Sequence, residues 1–288
     1  MSLTLSEELQ AWVGRTRTVE ETITPGMVRK VAGMLDFDLD AFGPGAALPP
    51  HWFGMFFADA TRQSDIGPDG HPKPGVILPP IPLPRRMGAG RRVEMPGTLR
   101  VGDTATRTAE VAAIVPKQAR TGFITVLTMR HTIRRGDELI ATEEFDAIYR
   151  EAVKPGEKSA TSAPVPAPRD AAWSVTRHLS SPLVFRYSAV TWNAHRIHYD
   201  ADYTRDEEGY PATVQNGGLT MQLLLDAAVR NTKGRLAAFT ARLSRPISVG
   251  DTVTFRGHAP DAEGRVLAWV QSAEGYLCGE AECRFAPA

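Results

Sequence analysis

A short internal repeat constrains the fold of this 288-residue chain more than any other feature of its sequence. Residues 99–104 read LRVGDT and residues 247–252 read ISVGDT, about half the chain apart, and an alternating segment follows each copy. A Gly-Asp pair between alternating segments is typical of a tight turn, where glycine supplies the positive φ and aspartate bonds the local backbone. The repeat therefore predicts two similar halves.

Each half has the same coarse order of elements. In the first half, Thr24 and Pro25 predict the start of a helix over residues 25–35, with Thr24 as the N-cap. A Pro- and Gly-rich passage follows, and the alternating runs at 92–101, 105–115, 121–135 and 138–150 predict long strands. The second half has a short element, a helix from about Gly217, and strands from residue 235 onwards. Runs of strands with one helix per half favour an α+β fold over alternating βαβ units.

The domain boundaries follow from composition. Residues 152–172 are rich in proline, alanine and charged side chains, which predicts a linker. The N-terminal repeat then covers residues 1–151 and the C-terminal repeat covers residues 173–288.

Charge and cysteine content exclude some classes of protein. Lys plus Arg equals Asp plus Glu at 33 each, so the basic excess of a nucleic-acid-coating surface is missing. No segment reaches the roughly 20 apolar residues that span a bilayer, and the N-terminus has acidic residues where a signal peptide has basic ones. Cys278 and Cys283 are five apart, which in a regular strand puts them on opposite faces and disfavours a disulfide. We expect a cytoplasmic protein without membrane or nucleic-acid partners.

The segment at residues 185–211 concentrates the side chains that can do chemistry. Asn193, His195, His198 and Asp200 fall within eight residues, and the aromatic residues Trp192 and Tyr199 flank them. Histidine titrates closest to neutral pH, so a positioned histidine is the first candidate for acid–base catalysis. Two other interpretations stay open: a polar surface turn, and a zinc or iron site built on the His-x-x-His-x-Asp spacing.

A second candidate element follows at residues 214–231. Asn216 is suited to cap a helix, and Gly217 and Gly218 open an apolar helical pattern. Glycines let a ligand approach the backbone, and the free N–H groups of a helix start can stabilise an oxyanion. The alternative is an ordinary helix start.

Taken in this order, the histidine segment, the Gly-Gly helix and the strands with a Gly-Asp turn resemble the MaoC-like, or (R)-specific type 2, enoyl-thioester hydratases. The family motif Gly-Asp-x-Asn-Pro-Leu-His matches residues 192–198: its catalytic His falls on His198, its Asn on His195, and its Asp on Asn193, which is a departure. The later His-Gly of the family falls on Asn216 and Gly217. The amino-acid sequence at residues 191–211 is similar to that of the hydroxyacyl-thioester dehydratase branch that includes mesaconyl-C4-CoA and itaconyl-CoA hydratases.

The resemblance implies two fused hotdog repeats that pair edge to edge, each a curved antiparallel sheet around a long helix, with one active site at the seam. It implies a hydro-lyase that adds water to an α,β-unsaturated acyl thioester, itaconyl-CoA or mesaconyl-C4-CoA being the best guess. His198 is then the base, Asn193 and His195 assist it, and Gly217 and Gly218 bind the thioester. A fatty-acid-type (3R)-hydroxyacyl dehydratase, a thioesterase, an inactive site and a non-catalytic acyl-thioester-binding protein remain alternatives.

Substrate contacts and partners complete the expectation. A dicarboxylic acyl group needs a cation, for which Arg196 and Arg186 are candidates, and Tyr199, Asp200 and Trp52 are further candidate contacts. Arginines 85, 86, 91 and 92 are candidates for the CoA phosphates. We expect no metal and no cofactor, since CoA belongs to the substrate, and the resemblance allows a homodimer.

Overall fold

The computed structural model describes residues 4–119, 122–153, 157–159 and 163–287. Its helices are α1 (Glu7–Gln10), α2 (Pro25–Met34), α3 (Ser181–Val190), α4 (Ala201–Asp206) and α5 (Gly217–Asn231). Its strands are β1 (Thr16–Thr22), β2 (Arg85–Glu94), β3 (Thr104–Ala119), β4 (Gly122–Arg135), β5 (Glu138–Arg150), β6 (Trp173–His178), β7 (Arg235–Leu243), β8 (Thr252–Gly257), β9 (Arg265–Gln271) and β10 (Leu277–Ala286). No helix within these described ranges is long and apolar enough to cross a membrane.

All ten strands form one antiparallel sheet, and its order shows the repeat. The order is β1-β3-β4-β5-β2 in the N-terminal half, continued by β7-β10-β9-β8-β6 in the C-terminal half. Read from the outer edge inward, both halves have the same connectivity. They meet where β2 pairs with β7, with Arg91 opposite Ala241. The predicted α+β class and the edge-to-edge pairing of two repeats are confirmed.

The two Gly-Asp turns are equivalent in detail. Gly102 and Gly250 have φ values of 99° and 95°, in the left-handed region that favours glycine. Asp103 accepts a hydrogen bond from the backbone N–H of Arg100 at 2.7 Å, and Asp251 accepts one from Ser248 at 2.9 Å. The sequence repeat is therefore a structural repeat.

The helices differ between the halves. Helix α2 begins after Thr24, whose hydroxyl accepts from the N–H of Met27 as predicted, but its structural counterpart is α3. Backbone bonds from Leu48 to Leu99 and from Gln215 to Ile247 align residue 48 with residue 215, so the segment that corresponds to α5 is the 3-10 helix Pro50–Met55. Among the residues that the structure describes, the long helix expected in both halves is present in the C-terminal one alone. In the 3-10 turn, the side chains of Trp52 and Phe53 are buried in the core.

Two local predictions need correction. The strand predicted at 92–101 ends at Glu94, because Pro96 has no N–H and Gly97 packs directly against Ile140. Cys278 and Cys283 both lie in the core instead of on opposite faces, because a bulge between Leu277 and Gly279 shifts the alternation; they remain free thiols. The strand predicted from residue 121 begins at Gly122, and residue 121 itself lies outside the described residues.

Within the predicted linker, residues 154–156 and 160–162 lie outside the described residues. The described remainder contacts the C-terminal half: the N–H of Ser159 donates to the carbonyl of Gly209 at 3.0 Å, and Pro166 forms a bridge with Tyr276.

Candidate active site

The loop after α3 presents both motif histidines. Helix α3 ends at Val190, and Trp192 takes a left-handed φ of 55° that turns the chain sharply. The side-chain oxygen of Asn193 then accepts the backbone N–H of His195 at 3.0 Å. A 3-10 turn, Arg196–His198, follows. Asn193 thus shapes the turn that carries the histidines.

His198 is oriented by a backbone carbonyl. Its Nδ1 lies 2.7 Å from the carbonyl oxygen of Val214, which can only accept a hydrogen bond, so Nδ1 carries the proton and Nε2 keeps its lone pair. Burial lowers the pKa of His198 to about 4, although the bond to Val214 opposes the shift. His198 is therefore a neutral base at physiological pH.

A turn of the N-terminal half brings a second histidine and a carboxylate to the same place. The carboxylate of Asp69 accepts from Nδ1 of His71 at 2.9 Å, and the ring of His71 stacks on that of His195 with centroids 4.0 Å apart. Burial lowers the pKa of His71, and the bond to Asp69 opposes this. Burial would raise the pKa of Asp69, but the hydrogen bond and charge of His71 hold it below its usual value. Asp69 and His71 form a dyad whose Nε2 is an available base.

The turn is docked firmly on the motif loop. The backbone N–H of Arg196 donates to the carbonyl of Asp69 at 2.9 Å, and its guanidinium donates to the carbonyl of Pro68 at 3.0 Å. Gly70 has a φ of 89°, and an added Cβ would lie 2.7 Å from the carbonyl carbon of Ala194 and closer still to its oxygen. Only glycine lets the two segments approach this closely.

His195 lies between the other two histidines. Its side chain is buried, and its ring centroid is 5.5 Å from that of His198 in an edge-to-face arrangement. Burial, with the nearby His71 and His198, lowers the pKa of His195 to about 2. A neutral His195 separates the two bases without adding charge.

The zinc or iron site left open as an alternative, built on His195, His198 and Asp200, does not form in the structure as that spacing would require. Asp200 caps α4 by accepting from the N–H of Tyr203 and pairs with Arg196 at 2.7 Å, away from the imidazoles. A different group, Asp69, His71 and His195, has ligand atoms within 4.8 Å of one another. However, the carboxylate of Asp69 already accepts a hydrogen bond from Nδ1 of His71 at 2.9 Å, which occupies one candidate ligand atom of each residue. The arrangement fits hydrogen bonding better than metal coordination.

Helix α5 starts beside these histidines. Asn216 precedes it but does not cap it; instead its amide bonds the hydroxyl of Ser188 at 3.2 Å, which ties the helix start to α3. The first N–H groups of the helix, at Gly217 and Gly218, have no intrahelical acceptor. A Cβ on Gly218 would collide with the hydroxyl of Tyr187. Gly218 therefore lets the side chain of Tyr187 lie directly against the start of the helix.

Several predicted substrate contacts have other contacts in the structure. Arg196 donates twice to Asp200 and lies over Tyr203, which favours a positioning role over a contact with substrate. Arg186 is exposed near Gly33 of α2. Tyr199 is 62% exposed and donates to the carbonyl of Ala194.

The remaining candidates lie deeper. Trp52 is fully buried, and its indole N–H donates to Asp226 at 3.2 Å. Its side chain therefore links the N-terminal half to α5 within the core. Arg85 forms a buried ion pair with Glu208 at 2.7 Å, and Arg92 on the outer face pairs with Glu144 and Asp146. Arg91 faces a small cavity of about 20 Å³ between the repeats, which Gly218 also lines. A wider groove of about 800 Å³ passes Tyr210, Val214 and Arg245 but includes none of the histidines.

Asp69 and His71 are absent from the sequence-based prediction. They stand in the segment GPDGHP, within a passage that the pattern marks only as irregular. Polar and titratable residues in a Gly- and Pro-rich loop are frequently functional, and this was the available signal. The sequence alone does not reveal that this turn of the N-terminal half contacts the histidine loop of the C-terminal half.

The architecture matches known double-hotdog proteins. A MaoC-like dehydratase from Phytophthora capsici superposes with a TM-score of 0.74 over 99% of this chain and 98% of its own, at 16% identity. A Mycobacterium tuberculosis protein described as having a double hotdog fold superposes with a TM-score of 0.61 over 94% of this chain and 95% of its own, also at 16% identity. The predicted double hotdog is confirmed.

Sequence similarity identifies the family. The model for "Hydroxyacyl-thioester dehydratase type 2" matches residues 51–249. The mesaconyl-C(4)-CoA hydratase of Chloroflexus aurantiacus is 35% identical over 284 residues, 92% of this chain and 98% of that protein. The family match and this relative identify the chain as a double-hotdog hydro-lyase of acyl thioesters, as the resemblance implied. The chain belongs to the hydroxyacyl-thioester dehydratase type 2 family.

Proposed function

We propose that this protein hydrates a short, unsaturated dicarboxylic acyl-CoA of the mesaconyl-C4-CoA or itaconyl-CoA kind, and catalyses the reverse dehydration. The identity with the mesaconyl-C(4)-CoA hydratase along almost the full length of both chains supports this substrate class. The observation that carries the chemistry is the row of three imidazoles, from His198 through His195 to the Asp69–His71 dyad, at the contact between the repeats.

The helix start activates the thioester. The N–H groups of Gly217 and Gly218, together with the positive end of the helix dipole, bind the thioester carbonyl oxygen. Electron withdrawal then makes Cβ of the enoyl group electrophilic. The negative charge that develops on the oxygen after attack lies where these donors are already directed.

The histidines activate the water. Nε2 of His198 takes a proton from a water molecule as its oxygen bonds to Cβ, and the resulting enolate takes a proton at Cα. In the family motif a carboxylate stands at the position of Asn193, and Asn cannot accept the proton. The protonated Nε2 of His198 supplies the proton that Cα takes up, which restores the neutral base, and the Asp69–His71 pair adds a carboxylate to the site through its hydrogen bond.

The contacts around the seam favour this function over the alternatives. Phe53, Met55 and Met221 close the cavity next to Gly218, which suits a short acyl group better than a long fatty chain. A hotdog thioesterase needs a carboxylate at the reacting carbon. Asp226 is buried and its Oδ1 is shared by His51, Trp52 and Gln222, so it is not placed for that role.

The test is a direct assay of the purified protein with mesaconyl-C4-CoA, itaconyl-CoA and crotonyl-CoA. We expect the enoyl-thioester absorbance to decrease without release of free thiol, fastest for a dicarboxylic substrate. Because no step uses a metal or cofactor, treatment with EDTA should leave the rate unchanged. Thiol release would indicate a thioesterase, and binding without turnover would indicate an acyl-CoA-binding protein. Light scattering in the same experiment tests the expected homodimer.

A further inference from the structure

The small cavity between the repeats is unusually polar for a space enclosed by a hydrophobic seam. Side chains from both halves line it: His51 and Arg91 from the N-terminal half, and Tyr187, Gly218 and Gln222 from the C-terminal half. Its volume of about 20 Å³ is comparable to the probe-occupied volume of one or two water molecules. A cavity of this size and lining takes a small polar group and excludes an apolar acyl tail.

His51 brings an unsatisfied polar atom to this cavity. Its side chain has no solvent exposure, and Nε2 lies 2.6 Å from Oδ1 of Asp226. Its Nδ1 is buried and has no hydrogen-bond partner among the described residues. Since a carboxylate only accepts, Nε2 of His51 donates to Asp226, and this bond holds the ring against α5 as part of the cavity wall.

Arg91 brings to the cavity a cation that is paired with the buried carboxylate of Glu143. Its Nε lies 3.4 Å from Oε1 of Glu143, too far for a well-formed hydrogen bond, while Nδ1 of His131 holds the other carboxylate oxygen at 2.7 Å. The guanidinium stacks over Phe145 at 5.3 Å and makes no hydrogen bond to any part of the chain that the structure describes. Its terminal N–H groups therefore remain available to an anion.

Tyr187 adds a neutral donor at the mouth of the cavity. Its hydroxyl lies against the backbone of Gly218, and burial raises the pKa of Tyr187 to about 12, so the hydroxyl keeps its proton. An arginine and a tyrosine hydroxyl that line one small buried space are donors that recognise a carboxylate.

The cavity is also adjacent to the reacting group, since Gly218 both lines it and belongs to the proposed thioester-binding helix start. We propose that this cavity is a subsite for the free carboxylate of the acyl group, which Arg91 and Tyr187 bind. The inference rests on the proposed function and replaces Arg196, which Asp200 engages, with Arg91 as the residue that selects dicarboxylic substrates.

The test compares two substrates of equal shape in wild type and in Arg91→Met. Mesaconyl-C4-CoA carries a carboxylate on Cβ, and 3-methylcrotonyl-CoA has a methyl group there instead. We expect wild type to prefer mesaconyl-C4-CoA, and Arg91→Met to lower the kcat/KM ratio of the two substrates roughly 10- to 100-fold, the value of a charge-assisted hydrogen bond. Because the ratio is taken on one preparation, it does not depend on the folded fraction.

Matched control variants distinguish a contact between Arg91 and the carboxylate from a structural role of Arg91. Arg91→Lys keeps the charge without the planar fork and should retain part of the preference, whereas Arg130→Met, on the exposed outer face, should leave the ratio unchanged. Should Arg91→Met fail to fold, Arg91→Lys and Tyr187→Phe still report the ratio. Equal losses on both substrates would overturn the subsite and make Arg91 a structural partner of Glu143. A wild-type preference for 3-methylcrotonyl-CoA would overturn the subsite but leave the hydratase function standing, whereas hydration of neither substrate would overturn both.

Discussion

Replacing Gly70 by alanine tests the contact across the seam on which the site depends. The substitution has two effects that add. An alanine held at a φ of 89° is strained by roughly 1–2 kcal/mol. Its Cβ would also lie 2.7 Å from the carbonyl carbon of Ala194, and neither backbone segment can yield by a side-chain rotation. The turn must therefore move away from the motif loop by on the order of 1 Å.

This movement gives the magnitude. It weakens the two bonds from Arg196 to the carbonyls of Pro68 and Asp69, worth about 1 kcal/mol each. With the backbone strain, we expect a loss of roughly 3 kcal/mol in stability or a turn that stays undocked. A displacement of about 1 Å at a catalytic group can reduce the rate 10²-fold. We therefore expect kcat to fall about 100-fold, since His71 moves with the turn.

The assay is kcat for mesaconyl-C4-CoA together with thermal unfolding. Gly45→Ala is the matched control, because Gly45 has a φ of 78° with nothing within 4 Å of the added Cβ. It should lose only the backbone term of roughly 1–2 kcal/mol and keep its rate. If folded Gly70→Ala retained the kcat of Gly45→Ala, the seam turn would not be part of the active site.

Two further predictions concern the motif loop. His198→Ala should lower kcat about 10²- to 10⁴-fold in a folded protein. Because the base must be neutral and the pKa of His198 is lowered to about 4, the wild-type rate should fall only as the pH drops toward 4. A decrease in rate centred on the ordinary pKa of about 6.5 would contradict a buried base. Because this folded pKa is depressed, the stability His198 contributes is complete above about pH 6.5 and is lost as pH falls toward 4, by about 3 kcal/mol, which denaturant titration measures. Asn193→Asp should stay folded and active, because a carboxylate oxygen can also accept the N–H of His195. Complete inactivity of that variant would show that a charge beside the dyad is harmful.

The motif loop and the helix start were predictable because their information is local. Alternation predicted the strands β4 and β5, and the residue types at Thr24 and Gly217 predicted where α2 and α5 begin. The predictions failed where a contact with a residue distant in sequence determined what a side chain binds. The side chain of Asn216 bonds Ser188 instead of capping its own helix, and Arg196 binds Asp200 and the turn at Pro68 instead of remaining free.

The sequence by itself determined the two-fold repeat, the strand-rich halves and the histidine pair, because turn chemistry, periodicity and a motif of seven residues are written in consecutive positions. Only the tertiary structure decided which residues complete the site. Asp69 and His71 reach His195 because the repeats join along β2 and β7 and Gly70 permits a close approach. The same junction brings His51 and Arg91 to Gly218. In the described part of the N-terminal half a short 3-10 turn stands where the C-terminal half has α5, and this turn packs against α5. Such contacts between distant residues follow from how two sheets and a helix close around a shared core, and no local pattern encodes them.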